Sequence, residues 1–364
     1  MKYPFDQVFE DCTRFGTKIT TDEYLPEGKY PIIDQGQNDI VGFRNESDGL
    51  FTKVPAVIFG DHTRIVKYVE EPCFLGADGV KLLCPVRNDT NCKFLYYQLK
   101  NANIPDTGYN RHFKWVKELI FSVPSVEEQI STVTILDKTN ELITLRKLQL
   151  SKLDELVKSK FIEMFGDPVT NSKGWNIHQF DKIASSRLGK MLDGKKQTGE
   201  YQYPYLANSN VQWFKLNLDN LNKMDFDEKD QKEFAMSKGD LLVCEGGEIG
   251  RCAIWNCEIE KCFFQKALHR VRCDTKVILP EYLARVFYYR YQHNGFEDVV
   301  GSKSTIAHLT GEKLKRLPIV VPPIDLQNQF ADFAQQVDKS KSEIQKSLEK
   351  LETLKKALMQ QYFG

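Results

Sequence analysis

Apolar residues recur at every seventh position in two widely separated stretches of the chain. Leu136, Ile143, Leu150, Val157 and Met164 form one series, and Phe330, Val337, Ile344, Leu351 and Leu358 form the other. The residues between them are mostly Lys, Glu, Asp, Gln, Ser and Thr, the composition of a solvated face. A strict seven-residue apolar repeat keeps one seam turned toward a partner helix and favours a left-handed supercoil. Each stretch therefore predicts a helix of about 40 residues, roughly 60 Å long at ~1.5 Å per residue. Neither helix can bury its seam alone. The economical solution packs the two on each other, antiparallel.

The two stretches are copies. An offset of 198 relates Pro124 to Pro322, Gln129 to Gln327, Leu153 to Leu351 and Gly166 to Gly364. The pair Asp137-Lys138 matches Asp338-Lys339 at an offset of 201, so a shift of three residues enters and leaves the repeat. That shift, with Lys341 and Lys355 in the companion seam, predicts a coiled coil with irregular stretches. Prolines mark the boundaries. Pro124 and Pro322-Pro323 each precede a helix start, and Gly166-Asp167-Pro168 ends the first helix with a glycine cap followed by proline.

The intervening blocks read as short strands, turns and short helices. Residues 54–60 and 79–84 are strand-like and 94–99 predicts a short helix. The second block repeats the plan. Strand 239–244 leads into the glycine turn 245–251, helix 281–289 matches the first block's helix, and Tyr30-Pro31-Ile32-Ile33 resembles Tyr203-Pro204-Tyr205-Leu206. The expected organisation is a mixed block at 1–124, a long helix at 125–166, a second block at 167–322 and a second helix at 323–364.

Composition changes this picture little. The 364 residues hold 50 basic and 50 acidic side chains, a balance unlike that of a domain that grips nucleic acid unaided. The opening Met1-Lys2-Tyr3-Pro4-Phe5-Asp6 lacks signal-peptide character and no apolar run reaches membrane-spanning length, so a cytoplasmic protein is expected. Nine cysteines without paired knuckle spacing read as reduced core residues rather than metal ligands, including Cys252, Cys257 and Cys262.

Signatures of catalysis are missing from the sequence. Gly246 to Arg251 falls short of a P-loop, lacking its lysine and hydroxyl. There is no dinucleotide fingerprint and no Asn-Pro-Pro-aromatic tetrad. The six histidines stand at neither metal nor triad spacing. Local charge is more telling. Lys261–Arg272, Arg187–Lys196 and Gly301-Ser302-Lys303-Ser304 are basic, as is the cluster Arg111, His112, Lys114 and Lys117. Such patches can bind phosphates on a neutral protein. Gln35, Asn38, Asn208, Asn210, Gln212 and Gln265 carry the amides that read adenine edges, and Arg reads guanine. Each also has a plainer explanation, as solvated surface or turn former.

The Val-Pro-x-x-x-x-Gln helix openings, the stretches Lys152–Leu156 and Lys350–Leu354, and the closing Met164-Phe165-Gly166-Asp167-Pro168 resemble the specificity subunits of type I restriction-modification systems. So does the run from Gly239-Asp240-Leu241 through Gly250-Arg251 to Phe264–Arg272. Block one departs: Phe59-Gly60-Asp61-His62-Thr63-Arg64 stands where block two has its glycine turn. The resemblance implies an α+β fold. Two mixed, β-rich target-recognition domains are separated by two long helices forming an antiparallel coiled coil, with an internal pseudo-twofold repeat. It implies a non-catalytic subunit whose domains each read half of a bipartite double-stranded DNA target. Its partners would be two methyltransferase subunits and restriction/translocase subunits, with no membrane involved. This chain would hold no cofactor; S-adenosylmethionine, ATP and Mg would belong to the partners. The DNA-binding candidates are Lys190, Arg251, Lys266, Arg270 and Lys303 for phosphate or guanine, with Asn208, Gln212 and Gln265 as amide readers. Block one offers Lys18, Gln35, Asn38, His62, Arg64, Asn110 and Arg111. The competing expectation is a non-DNA scaffold carrying two duplicated ligand-binding domains on a coiled coil.

Overall fold

The computed structural model describes residues 1–76, 78–194, 197–297 and 308–364. They divide into two units, residues 1–149 with 344–364, and residues 150–343. The division runs through the long helices and not at the prolines, so each unit combines a mixed block with one stretch of each helix.

In unit 1, strand β1 (Lys2–Pro4) pairs antiparallel with a strand that closes the block, β9 (Ile120–Ser122). Between them come β2 (Phe9–Asp11), β3 (Tyr30–Ile33), β4 (Gly42–Arg44), β5 (Ala56–Gly60), β6 (Val66–Val69), β7 (Phe74–Leu75) and β8 (Val80–Pro85). They form a four-stranded sheet in the order β2-β8-β5-β6 and a three-stranded sheet in the order β4-β3-β7, whose β3–β7 pair is parallel. Strand β5 is central and buried at all five positions, which is why it reads as an unbroken apolar run and not as an alternating one. The helix Cys92–Asn101 starts at Asn91, whose side chain accepts from the N–H groups of Lys93 and Phe94 at 2.9 and 3.1 Å. Phe5, Phe9, Phe59, Phe113 and Phe121 build the aromatic core, and Val133, Leu136 and Met359 of the long helices close it.

Unit 2 repeats this topology. β10 (Asn176–Gln179) pairs with β20 (Pro318–Val321), as β1 pairs with β9. β11 (Ala184–Leu188), β19 (Leu268–Cys273), β16 (Leu241–Cys244) and β17 (Cys252–Ile254) form the four-stranded sheet in that order. β15 (Lys223–Asp225), β12 (Gln202–Leu206) and β18 (Phe263–Phe264) form the three-stranded one, again with a parallel pair, β12–β18. A small extra ribbon, β13 (Val211–Gln212) with β14 (Lys215–Leu216), is added. The glycine turn joins β16 to β17 as a hairpin, and helix Pro280–Gln292 opens with proline at its first turn.

The repeated glutamine explains the repeated motif. Gln129 Oε1 accepts from the N–H of Asn91 at 2.7 Å, while its Nε2 donates to the carbonyls of Asp89 and Pro124. Gln327 Oε1 accepts from the N–H of Leu279 at 2.9 Å, and its Nε2 donates to Val277 and Pro322. Both side chains are fully buried. Each satisfies an orphan donor at the start of the short helix and the carbonyl of the boundary proline, a duty only a buried primary amide of this length performs.

The long helices are Val126–Phe165 and Ile324–Phe363, 40 residues each. Both run unbroken from end to end. Within unit 2 the helix segments run antiparallel: Lys341 donates to Asp154 at 2.5 Å, and further along Phe161 and Phe165 both stack edge-on against Phe330 at 5.5 Å. In unit 1, Lys147 pairs with Glu352 at 3.3 Å. Leu136, Ile143, Val157, Phe330 and Val337 of the heptad seam are buried; Leu150, Met164, Ile344, Leu351 and Leu358 are half-buried. Fully burying a side chain such as Phe330 contributes roughly 2–3 kcal/mol, so the seam is a main source of helix stability.

Seven of the nine cysteines are buried, and Cys273 is half-buried against the core. Cys244, Cys252 and Cys262 are buried, but Cys257 is exposed, on a left-handed residue (φ 63°) after β17. Burial pushes the Cys262 thiol up to about 12. Among the described residues no group of three or more His, Cys, Asp or Glu could hold a metal ion. No described helix is long and apolar enough to cross a membrane.

Candidate nucleic-acid interface

In unit 1 the candidates converge on loops that leave β3 and β5, precede β8, and follow the short helix. Gln35 is the brace. Its Nε2 donates to the carbonyl of Asp78 at 2.7 Å, its Oε1 accepts from the N–H of His62 at 3.1 Å, and its carbonyl accepts from Thr63 Oγ1. Asp61, almost fully buried, ties in the fourth loop. Its carboxylate accepts from the N–H of Phe113 at 2.7 Å and its carbonyl from the N–H of His112. Lys18 forms an ion pair with Asp78. Hydrogen bonding and charge from Lys18, with a contribution from Arg111, hold the Asp78 carboxyl below its usual range. Gly79 has φ +79° and sits against this knot; a Cβ there would lie 2.6 Å from His62 Cδ2. The close approach and the left-handed backbone together require glycine.

The remaining side chains of this unit divide into held and free. Arg64 is spent on Asp106 at 2.5 Å and the carbonyl of Ile104. Asn110 donates to Thr107, and its carbonyl faces His62 Nδ1 at 3.2 Å. Asn38 offers its carbonyl to Lys67 and its amide is exposed. Arg111 is exposed, without a side-chain hydrogen bond or ion pair among the described residues. Of the basic cluster expected around it, His112 is buried and bonded to Asp61.

Tyr109 was not singled out from sequence. It is 88% exposed, and its ring stacks on His62 with centroids 4.8 Å apart and planes 11° from parallel. The signal for it was a lone aromatic in a turn-forming run, Pro105-Asp106-Thr107-Gly108-Tyr109-Asn110.

Unit 2 places its candidates differently. Lys190 points inward, donating to the carbonyl of Asp225 and to Asp230, over the ring of Phe226. Arg270 donates to the carbonyls of Glu233 and Ala235, and burial holds its guanidinium below the ordinary value. Arg251 reaches Glu248 and donates to the carbonyl of Asn208 at 3.1 Å. Asn208 Nδ2 donates to Gly246 at 3.2 Å, while its Oδ1 is buried with no partner among the described residues. These four brace the loops. Gln265 is half-buried; its N–H donates to Leu206, and its carbonyl fills the space a Cβ would need at Gly189. Gln212 and Lys266 are exposed, and Lys266 has no side-chain partner among the described residues. Lys303 lies outside the described residues, as do Lys195 and Lys196.

A cleft of about 840 Å³ lies in this unit beside β11 and the helix Gly311–Lys315. Its cations face acids of its own wall, Arg187 with Glu233, Lys190 with Asp230 and Lys315 with Glu312. Such internal neutralisation does not make an anion site.

The profile of the family described as the type I restriction modification DNA specificity domain matches residues 2–155 and 172–356. The MjaX type I restriction enzyme specificity subunit of Methanocaldococcus jannaschii, itself a tentative assignment there, is 24% identical over 193 residues, 52% of this chain and 45% of that protein. The chain thus matches under half the length of that curated relative. The S subunit of a type I restriction-modification system from M. genitalium superposes with a TM-score of 0.66 at 17% identity, covering 100% of this chain and 96% of that one. A chain from a structure of type I restriction-modification complex assembly and conformational transition gives 0.60 at 15% identity, covering 100% and 97%.

Proposed function

Because the chain belongs to the type I restriction-modification DNA specificity domain family, we propose that it is the sequence-reading subunit of a cytoplasmic type I restriction-modification complex. Each unit reads one half of a bipartite duplex target, and the two long helices set the gap and dock methyltransferase subunits. Restriction/translocase subunits join that complex. Adenine methylation and ATP-driven steps belong to the partners, which bind S-adenosylmethionine, ATP and Mg; this chain supplies recognition.

The observation that carries this reading is a duplicated scaffold with divergent tips. The framework hydrogen bonds repeat. Asp61 N–H donates to the Gly79 carbonyl as Glu245 N–H donates to Ala267, and His112 N–H donates to Asp61 as Leu309 N–H donates to Glu245. The exposed side chains carried by that framework do not repeat. Phosphate contacts set register and base-edge contacts carry sequence, so two like frames with unlike tips suit two unlike half-sites.

The test is an exchange of residues 167–321 for the equivalent block of another such subunit, followed by mapping of methylated adenines in cells that also express the methyltransferase subunits. One half of the modified sequence is expected to change. A change in both halves, or in neither, would contradict modular reading.

A further inference from the structure

A group that selects a base must be exposed, held in place, and left with unspent contact capacity. In unit 1 most candidates fail one of these conditions. Each end of the Gln35 amide is already turned to a partner, Asp78 or His62, Lys18 is paired with Asp78, and Arg64 is tied to Asp106. Asn38 leaves its amide free, but nothing among the described residues holds it.

Tyr109 is exposed and His62 half-buried, and the pair meets the other two conditions. The His62 backbone is clamped by Gln35, and its ring is held between Tyr109 and the carbonyl of Asn110. A carbonyl accepts only, so Nδ1 at 3.2 Å carries the proton and donates. In the neutral ring Nε2 is then an acceptor, and it has no partner among the described residues. Tyr109, 88% exposed, contributes nothing to the core; its ring touches His62 and offers its other face outward. Arg111, exposed two residues on, is placed to meet a phosphate.

We propose that the stacked His62–Tyr109 pair selects the base at one position of the half-site read by unit 1, and that it accepts a base presenting an amino group in the major groove, adenine or cytosine. His62 Nε2 accepts from the exocyclic N–H of that base, and Tyr109 fixes the imidazole plane and packs on the neighbouring base surface. Asp78, Gln35 and Gly79 are positioning residues for the pair. This inference rests on the DNA-reading function proposed above.

The experiment maps methylated adenines in DNA from cells expressing the full chain with its methyltransferase subunits. The native chain first has to yield a two-part motif; if it yields none, the functional reading fails before this inference is reached. Given that motif, His62→Ala and Tyr109→Ala are expected to raise modification roughly 10-fold at sites altered at one position, within the range a single base pair commands. The sites gained there should exchange an amino base for a keto base on a given strand, A·T for T·A or G·C, and not merely adenine for cytosine. The position should lie in the half that stays constant when residues 167–321 are exchanged. Tyr109→Phe keeps the ring stack and should keep the motif. An unchanged motif in both alanine variants would overturn the proposal. So would an equal fall in modification at every site, which marks a phosphate contact or a scaffold role.

Discussion

Gln129 and Gln327 occupy the same place in the two units and make the same three hydrogen bonds, but Asp78 and Lys266, also in matching places, carry opposite charges. The match of the second pair follows from the frame. Gly79 and Ala267, the residues after them, both accept from the strand-end N–H of the β5 or β16 loop, and both are left-handed, at φ 79° and 84°. Asp78 is drawn into the brace by Lys18, whereas Lys266 stands exposed and unpaired among the described residues. Buried polar groups have few acceptable replacements, because an unsatisfied one costs about 1–3 kcal/mol. A loop-tip side chain in water has many. The difference teaches where the two copies are free to diverge: beyond the last framework hydrogen bond.

The strongest way to break that comparison is at the glutamines. Gln129→Ala strands the N–H of Asn91 and the carbonyls of Asp89 and Pro124; Gln327→Ala strands those of Leu279, Val277 and Pro322. Each substitution should cost roughly 2–4 kcal/mol, counting the partners left unsatisfied. Urea unfolding, with hydrogen exchange at the Asn91 and Leu279 amides to localise the effect, checks it. Near-equal losses in the two variants are expected. A loss in one and none in the other would mean that the scaffolds are alike in outline only.

These glutamines were legible before the structure because they repeat at a fixed offset beside a proline and a heptad seam. The same holds for Phe330, Val337 and Leu136, whose period of seven states their burial directly. The strand β5 and the helix Cys92–Asn101 were also visible from their apolar runs. The partners of the long cations were not. Lys190 finds Asp230, and Arg270 finds carbonyls at 233 and 235, all more than 30 residues away, so a basic run that looks solvated in sequence turns inward in the fold. The offset of three residues is carried by two helices that stay continuous. Tyr109 was missed because exposure of an aromatic is a fact of tertiary placement, with only its polar neighbours to announce it.

A second contrast separates the units by pH. Asp225, the last residue of β15, and Asn45, just past the end of β4, mark the end of the outer strand of their three-stranded sheets. Asn45 Oδ1 accepts from one N–H, that of Lys29, at 3.0 Å. Asp225 accepts from the N–H groups of Thr198, Gly199 and Tyr201, the Thr198 hydroxyl and the Gln202 amide. Burial would raise the Asp225 carboxyl, but the bonds from Gly199, Gln202 and Thr198 outweigh it and bring it down to about 2. Because the folded value lies below the ordinary 3.8, the stabilisation is complete above about pH 4 and is lost as pH falls toward 2. Unit 2 should therefore lose protection of the Thr198 and Gly199 amides across that acid window, with no matching step at the Lys29 amide. Asp225→Asn should remove the step. Retention of it in that variant would assign the titration to another carboxylate.

The smallest effect sharpens the comparison most, because it uses one position in opposite directions. Gly79 and Ala267 share a left-handed backbone, but only Gly79 is flanked by His62 and Gln35 within 3 Å of where a Cβ would sit. Gly79→Ala therefore meets both backbone strain and a clash, and should cost about 1–3 kcal/mol. Ala267 already tolerates the backbone strain, so Ala267→Gly relieves it against the extra entropy of an unfolded glycine. A gain no larger than about 0.5 kcal/mol is expected, read as a shift in the urea midpoint at unchanged slope. If Gly79→Ala proves as mild as Ala267→Gly, the tight knot around His62 is not what fixes glycine there, and the frame of unit 1 is as open at that point as the frame of unit 2.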